Sequence, residues 1–217
     1  MNDRGRLRGW IAFVAVFAGL NYLGRFSSGP PQRDVLYTWG AAVSGFIELA
    51  VILAIVLLLA RQRSKREYLA LRRPSSWWLA AGLSALVLVG VFVLSGLLAP
   101  YLHPGQEQGL VPRHWEPAHA AAFVANFLVV AVLAPVVEEL TFRGIGYTLL
   151  ARYGRWAAIL LVGLAFGLAH GLVEALPILA AFGAGLAWIR SRTGSVYPGM
   201  VVHASFNAIV LLAAIAA

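Results

Sequence analysis

Residues 119–150 read HAAAFVANFLVVAVLAPVVEELTFRGIGYTLL, and their reading decides the fold. From Phe123 to Pro135 the stretch holds no charge; then Glu138, Glu139 and Arg143 arrive in quick succession. An apolar run of about 20 residues is long enough to cross the hydrocarbon core of a bilayer. The three ionisable groups therefore sit within a transmembrane helix. Such groups are costly there, and they mark function by default.

The rest of the chain agrees. Of its 217 residues, 60% are hydrophobic and 12% charged, with a mean hydropathy of +0.79. A soluble domain carries about twice that charge fraction. The expected fold is an all-α, polytopic transmembrane bundle of about seven spanning helices, over 9–23, 37–60, 77–99, 119–150, 156–174, 176–190 and 196–216. Residues 1–118 read as N-terminal transmembrane helices without a specific signal. Residues 119–217 read as the functional bundle, and the two form one integral membrane domain. The N-terminal RGRLRG followed by WIAFVAVFAGLNYLG has the look of a signal peptide. No convincing small-x-small cleavage site follows it, only RFSSGPP, so a retained first helix is expected.

The absence of cysteine leaves no disulfide, thiol nucleophile or Cys-type zinc site. The net charge of +8 would suit nucleic acid, but the basic residues lie between the apolar runs, as the positive-inside rule requires. Arg4, Arg6 and Arg8 precede the first span. Arg61, Arg63, Lys65, Arg66, Arg72 and Arg73 fill the second loop. Arg152 and Arg155, then Arg190 and Arg192, flank later turns. These regions alternate along the topology, which puts the N-terminus in the cytoplasm and the C-terminus outside. The loop 100–118, with Glu107 and Glu116 against Arg113, belongs outside; loop 24–36, with Arg25 and Arg33 against Asp34, is a weak dissent. No nucleic-acid partner is expected.

Away from the span ends, the ionisable residues are Glu48, Glu138, Glu139, Arg143, His170 and His203, joined by Asn21, Asn126 and Asn207. Residues four apart share a helix face, whereas neighbours sit about 100° apart. Glu139 and Arg143 therefore pair, and Glu138 is left without a partner in its own helix. Phe166 shares a face with His170, and His203 with Asn207. Counted from the turn near Tyr153, Glu138 and His170 each lie roughly 22–26 Å along antiparallel helices; His203 lies roughly 15 Å from its own loop. A carboxylate, two imidazoles and an amide can thus line one cavity. Glu48 reads as a structural interhelical hydrogen-bond partner, with Asn126 or Arg143 as its mate. His103, His114 and His119 belong to the outer loop. Ser205 lies two residues from His203, on another face, and does not form a serine–histidine pair.

At these positions the sequence resembles a known family. EELTFRG is similar to the EExxxR motif, FGLAH to FxxxH and HASFN to HxxxN of the CPBP (Abi, or CAAX-protease) family of intramembrane proteases. The resemblance covers roughly 120–217, with all three motifs in order. It implies peptide-bond hydrolysis in the membrane. Glu138 would activate water, His170 would help hold that water, and His203 and Asn207 would stabilise the oxyanion. Glu139 and Arg143 would support them. The implied partners are a hydrophobic or lipidated peptide or protein substrate and membrane lipids. The implied location is a bacterial or archaeal plasma membrane.

A hydrolase needs a base, a held water and donors aimed at the developing oxyanion, and these residue types supply all three. Two histidines and a glutamate also match a catalytic zinc set, with Glu138, His170 and His203 as ligands. They come from three separate helices, however, and with Glu138 as base only two ligands remain, so no metal cofactor is favoured. An aspartyl protease would need two aspartates within the spans, and Asp3 and Asp34 lie outside them. No HExxH motif occurs. The alternative to an enzyme is a membrane transporter or an immunity-type interaction protein on the same fold. A transporter favours matched Gly/Pro breaks in two repeats. Breaks fall only around Ala134–Pro135 and near Pro177, with no counterpart in the first half.

Overall fold

Each apolar run folds as a helix because a backbone in lipid must satisfy its own hydrogen bonds. A computed structural model of the protein describes residues 2–27, 34–102 and 114–216, and every element among them is helical. Helix α1 spans Asp3–Ser27, α2 Trp39–Leu59, the single turn α3 Lys65–Tyr68 and α4 Trp77–Leu98. Helix α5 runs from Pro117 to Tyr153, α6 from Arg155 to Ala169, α7 from Leu176 to Thr193 and α8 from Tyr197 to Ala216. Arg33, His103, Glu107 and Arg113 of the expected loops lie outside the described residues.

Five helices, not seven, are long and apolar enough to cross a membrane: α1, α2, α4, α5 and α8. The shortfall is in α6 and α7. Helix α6 has 15 residues, about 22 Å, against a core of about 30 Å. Helix α7 ends on Arg190 and Arg192, which dilute its apolar run. The expected span 156–174 stops at Ala169, with His170 as its cap. Gly171 follows at φ +66°, a left-handed turn that ends the helix. The α6–α7 hairpin is closed by small residues. A Cβ on Gly163 would stand 2.6 Å from the Ala184 nitrogen, and one on Gly183 would stand 3.0 Å from the Gly163 Cα. Such contacts let two backbones meet, as membrane helices favour.

Residues of the two expected regions pack together in the main hydrophobic cluster. Leu7, Trp10, Leu49 and Ile52 from the first half pack with Phe142, Phe166, Phe182 and Val202 from the second. Arg6 sits under α2, where its Nε donates to the Leu59 carbonyl at 2.9 Å and its Nη2 to that of Arg61 at 2.8 Å, satisfying carbonyls left free at the helix end. Outside the core, Val16, Leu20, Phe46, Ile47, Leu58, Trp78 and Leu160 are exposed. An apolar surface of this extent is what a lipid-facing bundle presents.

Candidate active site

Helix α5 does not run evenly. Two π-helical turns, Val129–Leu133 and Leu140–Gly146, flank the α-helical piece Ala134–Glu139. Pro135 gives the first a physical cause, since it has no N–H to donate. In that turn the Ala134 N–H donates to Val129, five residues back, instead of to Val130. The next N–H that a π register would bring to Val130 belongs to Pro135 and does not exist. The orphaned Val130 carbonyl accepts from Asn207 Nδ2 of α8 at 2.9 Å. In the second turn the Thr141 carbonyl accepts from Trp10 Nε1 of α1 at 2.9 Å. Both turns are thus held from outside, and Glu138 and Glu139 lie between them.

Glu139 and Arg143 pair as their spacing requires, Nη1 to Oε1 at 2.8 Å, and both are fully buried. Arg143 Nη2 also donates to the Gly183 carbonyl at 2.9 Å, and its guanidinium carbon lies 4.3 Å from the Phe166 ring centre. Room for the Glu139 carboxylate comes from Gly199 of α8, because a Cβ there would overlap Glu139 Oε2.

Glu138 points the other way and is partly exposed, with its Oε2 lacking any hydrogen-bond partner among the described residues. Two imidazoles face that oxygen: His203 Nε2 at 3.8 Å and His170 Nε2 at 4.0 Å. The ring partners assign their tautomers. His170 Nδ1 lies 2.7 Å from the Phe166 carbonyl, which only accepts, so Nδ1 carries the hydrogen. His203 Nδ1 lies 3.4 Å from Glu139 Oε1 and directs its hydrogen there. Phe166 fixes both rings, with centroids 4.6 Å from His170 and 5.5 Å from His203.

Glu138, His170, His203 and Asn207 border one cavity of about 230 Å³, whose remaining wall includes Leu179, Phe182 and Phe206. The expected convergence of a carboxylate, two imidazoles and an amide is therefore present in the fold. Separations of 3.8–4.0 Å are too long for direct hydrogen bonds. They leave room for a water about 2.8 Å from each atom. They do not suit zinc as they stand, since two tetrahedral ligands about 2.0–2.1 Å from the metal lie roughly 3.3 Å apart. Among the described residues no group of three or more His, Cys, Asp or Glu is placed to hold a metal ion.

Three features go beyond the reading of the sequence. Asn207 spends one amide hydrogen on Val130, so the amide is needed structurally as well. Phe182, Gly183 and Gly199 support the cluster without belonging to any polar pattern; Pro135 was the one sequence signal that pointed to the π turn. Glu48, expected to pair with Asn126 or Arg143, pairs with neither. Asn126 Nδ2 donates to the carbonyls of Leu36, Thr38 and Ala122, and Arg143 is committed to Glu139 and Gly183.

No curated protein and no solved structure matches the chain significantly. Residues 120–209, which carry Glu138, Glu139, Arg143, His170, His203 and Asn207, match the family model described as Rce1-like, type II CAAX prenyl endopeptidase Rce1-like, a match consistent with the CPBP (CAAX-protease) family.

Proposed function

We propose that the protein is an intramembrane endopeptidase that hydrolyses a peptide bond of a hydrophobic-tailed or lipidated substrate with glutamate-activated water. The observation that carries this reading is an unpartnered Glu138 oxygen facing two imidazole nitrogens across a gap that fits one water. Glu138 takes a proton from that water as its oxygen attacks the carbonyl carbon. His170, with its lone pair on Nε2, accepts the water's other hydrogen and aims the attack. The oxyanion is met by an Nε2–H of His203 and by the second amide hydrogen of Asn207. His203 then carries hydrogens on both ring nitrogens, with Nδ1–H held by Glu139. Collapse breaks the C–N bond, and Glu138 returns its proton to the leaving amine. The apolar wall of Leu179, Phe182 and Phe206 suits the tail of such a substrate.

The test is cleavage of a quenched peptide with a hydrophobic C-terminal tail by the purified protein, alongside its metal content. Turnover with less than a tenth of an equivalent of zinc, unchanged by exhaustive chelation, is expected. One stoichiometric zinc with activity lost on its removal and regained on its return would overturn the metal-free mechanism. No turnover of any such peptide would overturn the enzyme.

The site's access follows from the topology. We infer an N-terminus in the cytoplasm, supported by the basic loop 61–76. The α6–α7 hairpin turns back within the bilayer, and α8 carries the C-terminus out. Cysteines placed at Ser64 and at His114, both exposed, should be labelled by an impermeant reagent from opposite faces. Labelling of both from one face would refute this orientation.

A further inference from the structure

Glu48 of α2 lines two of the cavities that Glu138 also borders. It sits mid-span on α2, is exposed, and finds neither an ion-pair partner nor a hydrogen-bond donor among the described residues. It stands where two cavities meet. One, of about 180 Å³, lies toward α1 and includes Phe17, Asn21 and His170. The other, of about 560 Å³, follows α2 from Thr38 past Ala41, Ser44 and Gly45 and is closed by the first π turn of α5. Glu138 borders both, as well as the cavity beside His203. From Thr38 to Glu48 is about 15 Å of helix. The larger cavity is therefore a trench that leads from one end of α2 to the candidate base.

A carboxylate in a spanning helix needs a cation or a compensating network. The described residues supply neither, and the buried Arg143 is committed elsewhere. The small side chains of Ala41 and Ser44 line the trench up to the acid, so the missing cation can come from outside.

We propose that Glu48 forms an anionic subsite that accepts a lysine or arginine side chain of the substrate, flanking the scissile bond. It is thereby a specificity-determining residue of the proposed peptidase. The inference rests on that reading. The cationic side chain lies along the trench with its alkyl stem against the apolar wall and its charge at Glu48. The neighbouring backbone is brought to Glu138. Glu48 takes no part in proton transfer.

The test uses quenched peptides, with a hydrophobic tail, that differ only by lysine or norleucine at each position around the scissile bond. At one position the wild-type protein should prefer lysine by at least about tenfold in kcat/KM. Glu48→Gln should erase that preference while cleaving the norleucine peptide within about threefold of wild type. Glu48→Lys should transfer the preference to a glutamate peptide. A preference unchanged in Glu48→Gln, or an equal loss on both peptides, would overturn the proposal. Binding of the same peptides to Glu138→Gln and to Glu138→Gln/Glu48→Gln, read by fluorescence anisotropy, separates this idea from the proposed chemistry. A lysine preference in the first that vanishes in the second supports the subsite even where no peptide is cleaved. Equal binding of both peptides to Glu138→Gln rejects it.

Discussion

Glu138→Gln is expected to lower turnover of a hydrophobic-tailed peptide by at least about 10³-fold, the range a positioned general base supplies. The substitution keeps the side chain's shape and removes only its ability to take the water's proton. Nothing in the fold depends on that charge. Among the described residues Glu138 Oε2 has no hydrogen-bond partner, and the nearest imidazole nitrogens stand 3.8 and 4.0 Å away. The variant should therefore purify as a monodisperse protein with an unchanged melting temperature. Asn207→Ala gives the contrasting profile. It removes the proposed oxyanion donor, at an expected cost of about 10²–10³ in rate. It also strands the Val130 carbonyl, costing about 1–3 kcal/mol of stability. Asn207→Ala should thus lose kcat and melting temperature together, whereas Glu138→Gln loses kcat alone. A Glu138→Gln protein that retained wild-type turnover would end the base assignment, and so would one that lost activity only by unfolding.

Much of this was legible because helical periodicity is a local property. The i, i+4 spacing of Glu139 and Arg143 is enough to pair them, and the pair forms at 2.8 Å. The same arithmetic leaves Glu138 unpaired and sets His203 and Asn207 on one face. Depth counting from the loops then brings Glu138, His170 and His203 to similar heights, and the three border one cavity. The spans were legible as apolar runs. Their number was not, because the Gly171 turn ends α6 at His170 and Arg190 and Arg192 cut short the apolar run of α7.

What lay beyond the sequence is tertiary in origin. Asn207 looked like a free donor because the acceptor that occupies it, the Val130 carbonyl, exists only once Pro135 has forced a π turn. Glu48 looked like a structural partner because a residue list does not reveal that Asn126 and Arg143 spend their hydrogens elsewhere. Gly199 carried no signal at all. Its role depends on the Glu139 carboxylate lying against α8, a contact between residues 60 positions apart in the sequence.

The largest stability effect is expected at the Glu139–Arg143 pair. Arg143→Met should destabilise the protein by about 3–5 kcal/mol, because removing one member of a buried pair leaves the other charge uncompensated. Here Glu139, fully buried, would keep only His203 Nδ1 at 3.4 Å. The Gly183 carbonyl would lose its donor, and the Phe166 face would lose the cation 4.3 Å from its centre. Glu139→Gln should cost a similar amount from the opposite side, by stranding the guanidinium. The double variant should be more stable than either single one, since no bare charge remains; replacing a whole buried pair by neutral groups is often close to neutral. Turnover should not recover with stability. Without the Glu139 carboxylate, His203 loses the partner that orients its ring, and Phe166, which packs on both imidazoles, loses the guanidinium that holds it. Melting curves of the four proteins in one detergent, read beside peptide cleavage, decide the matter. At about 2–4 °C per kcal/mol for a chain of this size, each single variant should melt on the order of 10 °C lower. Single variants that melt with the wild type would show that the pair carries no weight in the fold. A double variant with both stability and full turnover would show that it carries none in the site.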